Sequence, residues 1–162
     1  MEYRIIPGYD RKAELSALFY DYTQMLIAGE PDMAPYLEQQ GYEEELAHLE
    51  GKYGHPYGRL YVAEVEGRVV GCIALRRLSE TDCELKRLYV LPELRGHGIA
   101  RALTRQVIAD ARAIGYRRIL LDTLPFLREA IALYESEGFR LTRKYNDSPL
   151  ADDHTLYYCL DL

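Results

Sequence analysis

Apolar positions change period along this chain, and each change marks an element boundary. Tyr3 to Ile6 reads as a short opening strand. Asp10 is placed to cap a helix in which Leu15, Leu18, Phe19, Tyr22, Met25 and Leu26 recur at helical spacing until Gly29 stops it. Pro31 to Tyr42 reads as irregular or weakly helical. Glu43 to Glu50 reads as a short helix presenting Leu46 and Leu49. Gly51 to Gly58 is the most loop-like stretch of the chain, of the composition that often lines binding clefts.

From Arg59 the pattern turns to strands. Arg59–Val65 and Val69–Leu78 flank the hairpin signal Glu66-Gly67, and Thr81-Asp82 marks a turn before a strand from Cys83 to Leu91. An amphipathic helix spans Ile99 to Ile114 and ends at Gly115. A strand follows over Arg118 to Asp122. A further helix runs from Phe126 to Glu137, with Ala130, Leu133 and Tyr134 on one stripe and Gly138 as its stop. Strands over 139–145 and 155–161 close the chain. No repeat, linker or low-complexity tract divides it, so the 162 residues read as one α/β domain, 1–162.

Charge and composition narrow the partners. A formal net charge of −6 does not suit nucleic acid. No apolar run approaches the ~20 residues that span a bilayer. The start of the chain lacks the charged and apolar regions of a signal peptide, so a cytoplasmic location and no membrane partner are expected. Cys72, Cys83 and Cys159 form no CxxC pair and sit in strand-like runs, as reduced, partly buried thiols would. His48, His55, His97 and His154 lack metal-ligand spacing, and no metal is expected. Fifteen tyrosines stand beside no tryptophan; those at 20, 22, 36, 42, 53, 57 and 61 crowd the first part of the chain. They are either half-buried packing or one wall of a small-molecule pocket.

The most informative run is Tyr89-Val90-Leu91-Pro92-Glu93-Leu94-Arg95-Gly96-His97-Gly98-Ile99-Ala100-Arg101-Ala102-Leu103. A strand stops at a proline, a loop carries two glycines, and a helix begins. The first N–H groups of a helix lack intrahelical partners, and with the positive end of the dipole they suit a phosphate or pyrophosphate. Arg95 and Arg101 flank the turn and add countercharge. The turn lacks the Lys-Ser/Thr of a P-loop and the third glycine of a dinucleotide fingerprint.

What is present, Arg95-x-x-Gly98-x-Ala100, resembles the Gln/Arg-x-x-Gly-x-Gly/Ala signature of the GNAT N-acetyltransferases. Leu133-Tyr134-Glu135-Ser136-Glu137-Gly138-Phe139 is similar to the Leu-Tyr-x-x-x-Gly-Phe segment that ends the last helix of that family. The order of both motifs matches over roughly residues 60 to 162, while the first 58 match only in outline. The resemblance implies a GNAT fold: a mixed, mostly antiparallel sheet of about seven strands, about four helices on its two faces, and a gap for the pantetheine arm where the strand ending at Leu91 and the strand beginning near Arg118 splay apart.

It also implies acetyl-CoA as acetyl donor and direct attack by an amine in a ternary complex, with no covalent enzyme intermediate. Leu88, Tyr89 and Val90 would pair with the pantetheine through their backbones. The loop Arg95, Gly96, His97, Gly98, Ile99, Ala100 and Arg101 would take the pyrophosphate. Tyr134 would be the general acid for the leaving thiolate. Many members carry an asparagine where this chain has Leu127; Thr123 is the candidate replacement for its contact. Glu84 lies eleven residues before Arg95, the spacing of the strand glutamate that serves as base in the histone-acetylating branch. Two readings of Glu84 stand side by side: a base at a wet cleft, or an ion-pair partner of Arg76, Lys86 or Arg87. The expected acceptor is a small-molecule primary amine, with a homodimer open as an assembly. A peptide or protein amine, or a non-catalytic acyl-CoA sensor, are the alternatives.

Overall fold

The computed structural model describes residues 1–35, 42–148 and 154–162. Seven strands form one sheet: β1 (Arg4–Pro7), β2 (Arg59–Val65), β3 (Arg68–Arg77), β4 (Asp82–Val90), β5 (Arg118–Thr123), β6 (Arg140–Thr142) and β7 (Leu156–Asp161), in the order β1-β2-β3-β4-β5-β7-β6. Only β4 and β5 run parallel; every other pair is antiparallel. The five α-helices described are α1 (Lys12–Gly29), α2 (Tyr42–Ala47), α3 (Leu49–Tyr53), α4 (Ile99–Ile114) and α5 (Arg128–Ser136). Val69 to Leu75 on β3 are buried without a break, the mark of a strand covered on both faces. Helices α1 and α4 both pack on β3 and β4.

Local chemistry explains most boundaries. Gly115 and Gly138 end α4 and α5 at φ +106° and +100°. In each, the residue after the glycine donates back into the last turn (Tyr116 to Ala111, Phe139 to Tyr134), which closes a Schellman motif. Elsewhere the sequence expectation needs correction. Asp10 does not cap α1; Arg11 holds the N-cap position without a side-chain cap, and its guanidinium reaches Glu14 and Glu64 instead. Gly51–Gly58 is not wholly a loop, because α3 continues to Tyr53, whose side chain is fully buried. The helix expected from Phe126 begins at Arg128. Phe126 is held against α1, where a Cβ on Gly29 would lie 2.2 Å from its ring. The strand expected over 139–145 ends at Thr142, since Tyr145 turns inward to Glu84. Positions 36–41 of the irregular Pro31–Tyr42 stretch, Tyr36 included, lie outside the described residues.

Strand β4 is irregular on both sides. Its pairing with β5 covers only Asp82↔Arg118, Cys83↔Ile119 and Glu84↔Leu120; beyond this the two strands part. On its other side Cys72 pairs with Tyr89 and Ala74 with Lys86, so Arg87 and Leu88 together face Ile73. That is a β-bulge, and Arg87 within it has φ +61°.

Candidate active site

The gap between β4 and β5 opens into a cavity of about 720 Å³. Leu88, Tyr89 and Val90 line it from β4. Gly96, Gly98, Ile99, Ala100 and Arg101 line it from the loop and first turn of α4, and Arg95 beside them. Tyr134 lines it from α5. The fold thus brings together ten of the twelve residues singled out in the sequence. His97 and Glu84 are not among the lining residues.

Gly98 is the N-cap of α4, at φ +80°, and no side chain caps the helix; the first intrahelical bond runs from Ala102 N to Gly98 O. The N–H groups of Ile99, Ala100 and Arg101 therefore have no intrahelical partner and no side-chain cap. Gly96 has φ +83°, and nothing lies within 4 Å of where a Cβ on either glycine would sit. The backbone needs glycine here, and the space beside it is open. The flanking cations differ. Arg95 donates to Val90 O at 3.0 Å and lies over the Tyr89 ring, with no ion pair to a carboxylate among the described residues. Arg101 is engaged by Glu137 at 2.7 Å, a carboxylate it shares with Arg105.

Tyr134 is buried, with its ring 5.7 Å from that of Phe139. Burial foremost, then the neighbouring Tyr22 phenol and the Asp122 carboxylate, push its phenol above the ordinary value. Its hydroxyl has no protein hydrogen-bond partner among the described residues, although it lines the cavity. The same holds for Thr123, which also lines it beside Leu127. Leu127 is the N-cap of α5 and offers no side-chain cap.

Glu84 is in a different situation. Its side chain is 2% exposed, and Arg76 Nε lies 2.7 Å from one carboxylate oxygen, with Lys86 at 3.7 Å. Tyr145 donates to the other at 2.6 Å. Burial alone would raise its pKa; Lys86, Tyr145 and Arg76 together outweigh burial and hold it below the usual carboxylate range. Of the two sequence readings, ion-pair partner is the one with this geometry. Arg87, the third cation considered beside Glu84, belongs elsewhere: it forms a buried bidentate pair with Glu45 on α2, at 2.9 and 2.8 Å.

Pattern reading missed several lining groups: Tyr22 and Met25 on α1, Asp122 at the end of β5, and Arg128 at the start of α5. Tyr22 had a signal in the tyrosine cluster, but Tyr53 is core, Tyr61 donates to Asp110, and Tyr20 and Tyr57 are exposed. Among the described tyrosines of that cluster, only Tyr22 lines the cavity. All three cysteines are buried and unpaired, and burial pushes Cys72 and Cys83 up to about 12. Away from the lining, Glu30, Asp32 and His154 bring ligand atoms within 4.8 Å of one another, with His154 3.2 Å from Glu30. Residues so distant along the chain show no metal spacing in sequence.

The profile of the Acetyltransferase (GNAT) family matches residues 19–139. An uncharacterized N-acetyltransferase of Schizosaccharomyces pombe is 40% identical over 113 residues, 68% of this chain and 69% of that protein. Another, YjgM of Escherichia coli, is 44% identical over 99 residues, 59% of this chain; the match spans only 58% of that protein's length. Among solved structures, the PaiA N-acetyltransferase of Thermoplasma acidophilum in complex with coenzyme A superposes with a TM-score of 0.78, at 16% identity, over 100% of both chains.

Proposed function

The chain belongs to the GNAT family of acetyltransferases, and on that premise we propose that it moves the acetyl group of acetyl-CoA to the primary amine of a small molecule, acting as one N-acetyltransferase domain over residues 1–162. One observation carries the reading. A single cavity joins an uncapped, glycine-led helix N-terminus to the unpartnered hydroxyl of Tyr134, through the gap where β4 and β5 part. A pyrophosphate at Gly96–Arg101 would gain backbone donors and the countercharge of Arg95. A pantetheine arm laid along Leu88–Val90 would pair with the strand edge that β5 has left. Thr123 would supply the polar contact that Leu127 cannot.

The thioester would then end near Tyr134. Binding alone has no need of a free phenol there, which weighs against a non-catalytic sensor. We assign Tyr134 the role of proton donor to the leaving thiolate and Glu84 that of an ion-pair partner. A volume of about 720 Å³ open to solvent suits a coenzyme arm and a small acceptor together.

The test is thiol release from acetyl-CoA with tyramine, spermidine, L-lysine and glycylglycine, run beside an acceptor-free control. Release that depends on at least one amine, with acetyl-CoA binding by calorimetry, is the expected result. Binding without amine-dependent release would favour the sensor and sink the small-amine reading.

A further inference from the structure

Asp122 stands where the parting of the sheet leaves a strand end facing the cavity. The last rung between β4 and β5 is Glu84↔Leu120. Two residues on, Asp122 is exposed and lines the same cavity as Tyr134. Its carboxylate is held at one oxygen only: Asn146 Nδ2 donates to Oδ2 at 2.8 Å. The Asn146 amide is itself oriented, since its oxygen accepts from Ser148 N at 3.2 Å and from the Tyr157 hydroxyl at 3.4 Å. Oδ1 has no hydrogen-bond partner among the described residues. This is the reverse of Glu84, whose two oxygens are both engaged in a closed site.

We propose that Asp122 is the catalytic residue that binds the acceptor ammonium and takes its proton. The inference rests on the transferase reading above and assigns a role within it. The groups around Asp122 favour a cation. Tyr22 of α1, Tyr134 of α5 and Tyr145 of the β6–β7 connection all feel its charge. Tyr157 of β7 is its partner in register. Lys144, on that same connection, is turned to Ser148 O. Arg128 of α5 lines the same cavity, but among the described residues no cation forms an ion pair with Asp122, so an arriving ammonium meets an unpaired negative charge. Glu129 also lines the cavity but is not among the charges acting on Tyr134.

The step balances with these groups alone. The ammonium N–H gives its proton to Asp122, which passes it to solvent. The freed nitrogen lone pair attacks the thioester carbon, forming C–N. As C–S breaks, its electron pair goes to sulfur, which takes the Tyr134 proton. As that proton leaves, the phenol oxygen takes the second proton from the new amide nitrogen and Tyr134 is restored. The net products are amide, thiol and one proton.

The experiment compares wild type, Asp122→Asn, Asn146→Ala and Glu84→Gln, using whichever of the four amines above the wild type acetylates best. Asp122→Asn should lower kcat/KM for the amine about 10²- to 10⁴-fold near pH 7, the range for a lost general base. The loss should shrink as rising pH deprotonates the amine in solution. Acetyl-CoA affinity should stay within about twofold on that same account. Asn146→Ala should give a smaller loss of the same pH shape, since it only releases the carboxylate. Asp122→Asn matching wild type at every pH, or a loss that does not recover with pH, overturns the proposal and leaves the transferase reading standing. A recovering loss in Glu84→Gln instead would move the base to Glu84. If the wild type acetylates none of the four amines, the small-amine reading fails first, and the Asp122 role fails with it.

Discussion

At neutral pH the Tyr134 phenol holds its proton, because burial raises it above its ordinary value. Full transfer to a thiolate of ordinary thiol acidity is then uphill. In the proposed role the phenol would act as a hydrogen-bond donor to developing charge, releasing its proton only as another arrives from the amide nitrogen. Tyr134→Phe keeps the ring against Phe139 and should cut turnover ~10²-fold or more, with little change in acetyl-CoA affinity. Wild-type turnover would leave Tyr134 a packing role alone. Gly98 makes a different demand, on the backbone. At φ +80° a β-branched side chain costs roughly 1–2 kcal/mol. Gly98→Val should therefore weaken acetyl-CoA binding by about tenfold or more as the loop shifts, read by calorimetry. Unchanged affinity would remove the pyrophosphate from this loop. Leu127 offers a gain: as an uncapped N-cap it gives the N–H groups of Glu129 and Ala130 no side-chain partner, while Arg128 N donates to Phe126 O. Leu127→Asn should add about 1 kcal/mol in chemical denaturation. A neutral or negative change would mean that the cavity-facing apolar contact matters more than the cap.

At the scale of elements, β4 bends at Arg87, and that bend is held from outside the strand. Arg87 sits between the rings of Tyr42 and Phe19, at 4.9 and 5.7 Å, and pairs with Glu45 of α2. Lys52 of α3 also donates to Glu45. The Cys72 thiol donates to the Arg87 carbonyl at 3.1 Å. Removing one side of a buried pair strands the other, so Glu45→Gln should cost roughly 3–5 kcal/mol in urea denaturation. Burial alone would raise the Glu45 carboxyl; the hydrogen bonds and charges of Arg87 and Lys52 outweigh burial and hold it at about 2, against an ordinary 4.5. A depressed folded-state pKa gives stability that is whole above the ordinary value and lost as pH falls through the folded one. The stability gap between wild type and Glu45→Gln should be constant above about pH 4.5 and shrink toward pH 2. A gap independent of pH across that window would show that the carboxylate charge is not what holds the bulge.

None of this pairing was legible in the sequence, and the reason is physical. The α4 start, the Glu66-Gly67 hairpin and the Gly115 and Gly138 stops depend on neighbours a few residues away, so spacing exposes them. The Glu45–Arg87 and Tyr145–Glu84 contacts span 42 and 61 residues. A bulge also breaks the period-two pattern without changing residue type. The glycine loop before α4 and Tyr134 could be found by motif, whereas Asp122 looked like one more polar position at a strand end. Only the loss of pairing between β4 and β5 gives it a cavity to face.

Taken whole, the sheet joins its two halves through a short parallel pairing, three rungs long at β4–β5. A bound coenzyme would extend that join by bridging Leu88–Val90, the α4 N-terminus and the start of α5. Ligand that binds only the folded state stabilises it by mass action, about 2.7 kcal/mol at 100 times Kd. Acetyl-CoA should therefore raise the melting temperature, and the gain should not be uniform. Amide exchange should slow at the end of β4, across Gly96–Ala102 and at the start of α5. The β1–β2 pair, anchored through Arg4 and Glu64 at the far edge, should change little. The protein carries a net charge of −6, so local donors would have to hold an anionic coenzyme against the overall field. Screening then acts in opposite senses on the loop's attraction and the molecule's repulsion. Affinity should accordingly vary only weakly with salt between low and physiological ionic strength. A rise in melting temperature with protection spread evenly over all strands would place the coenzyme outside the β4–β5 gap.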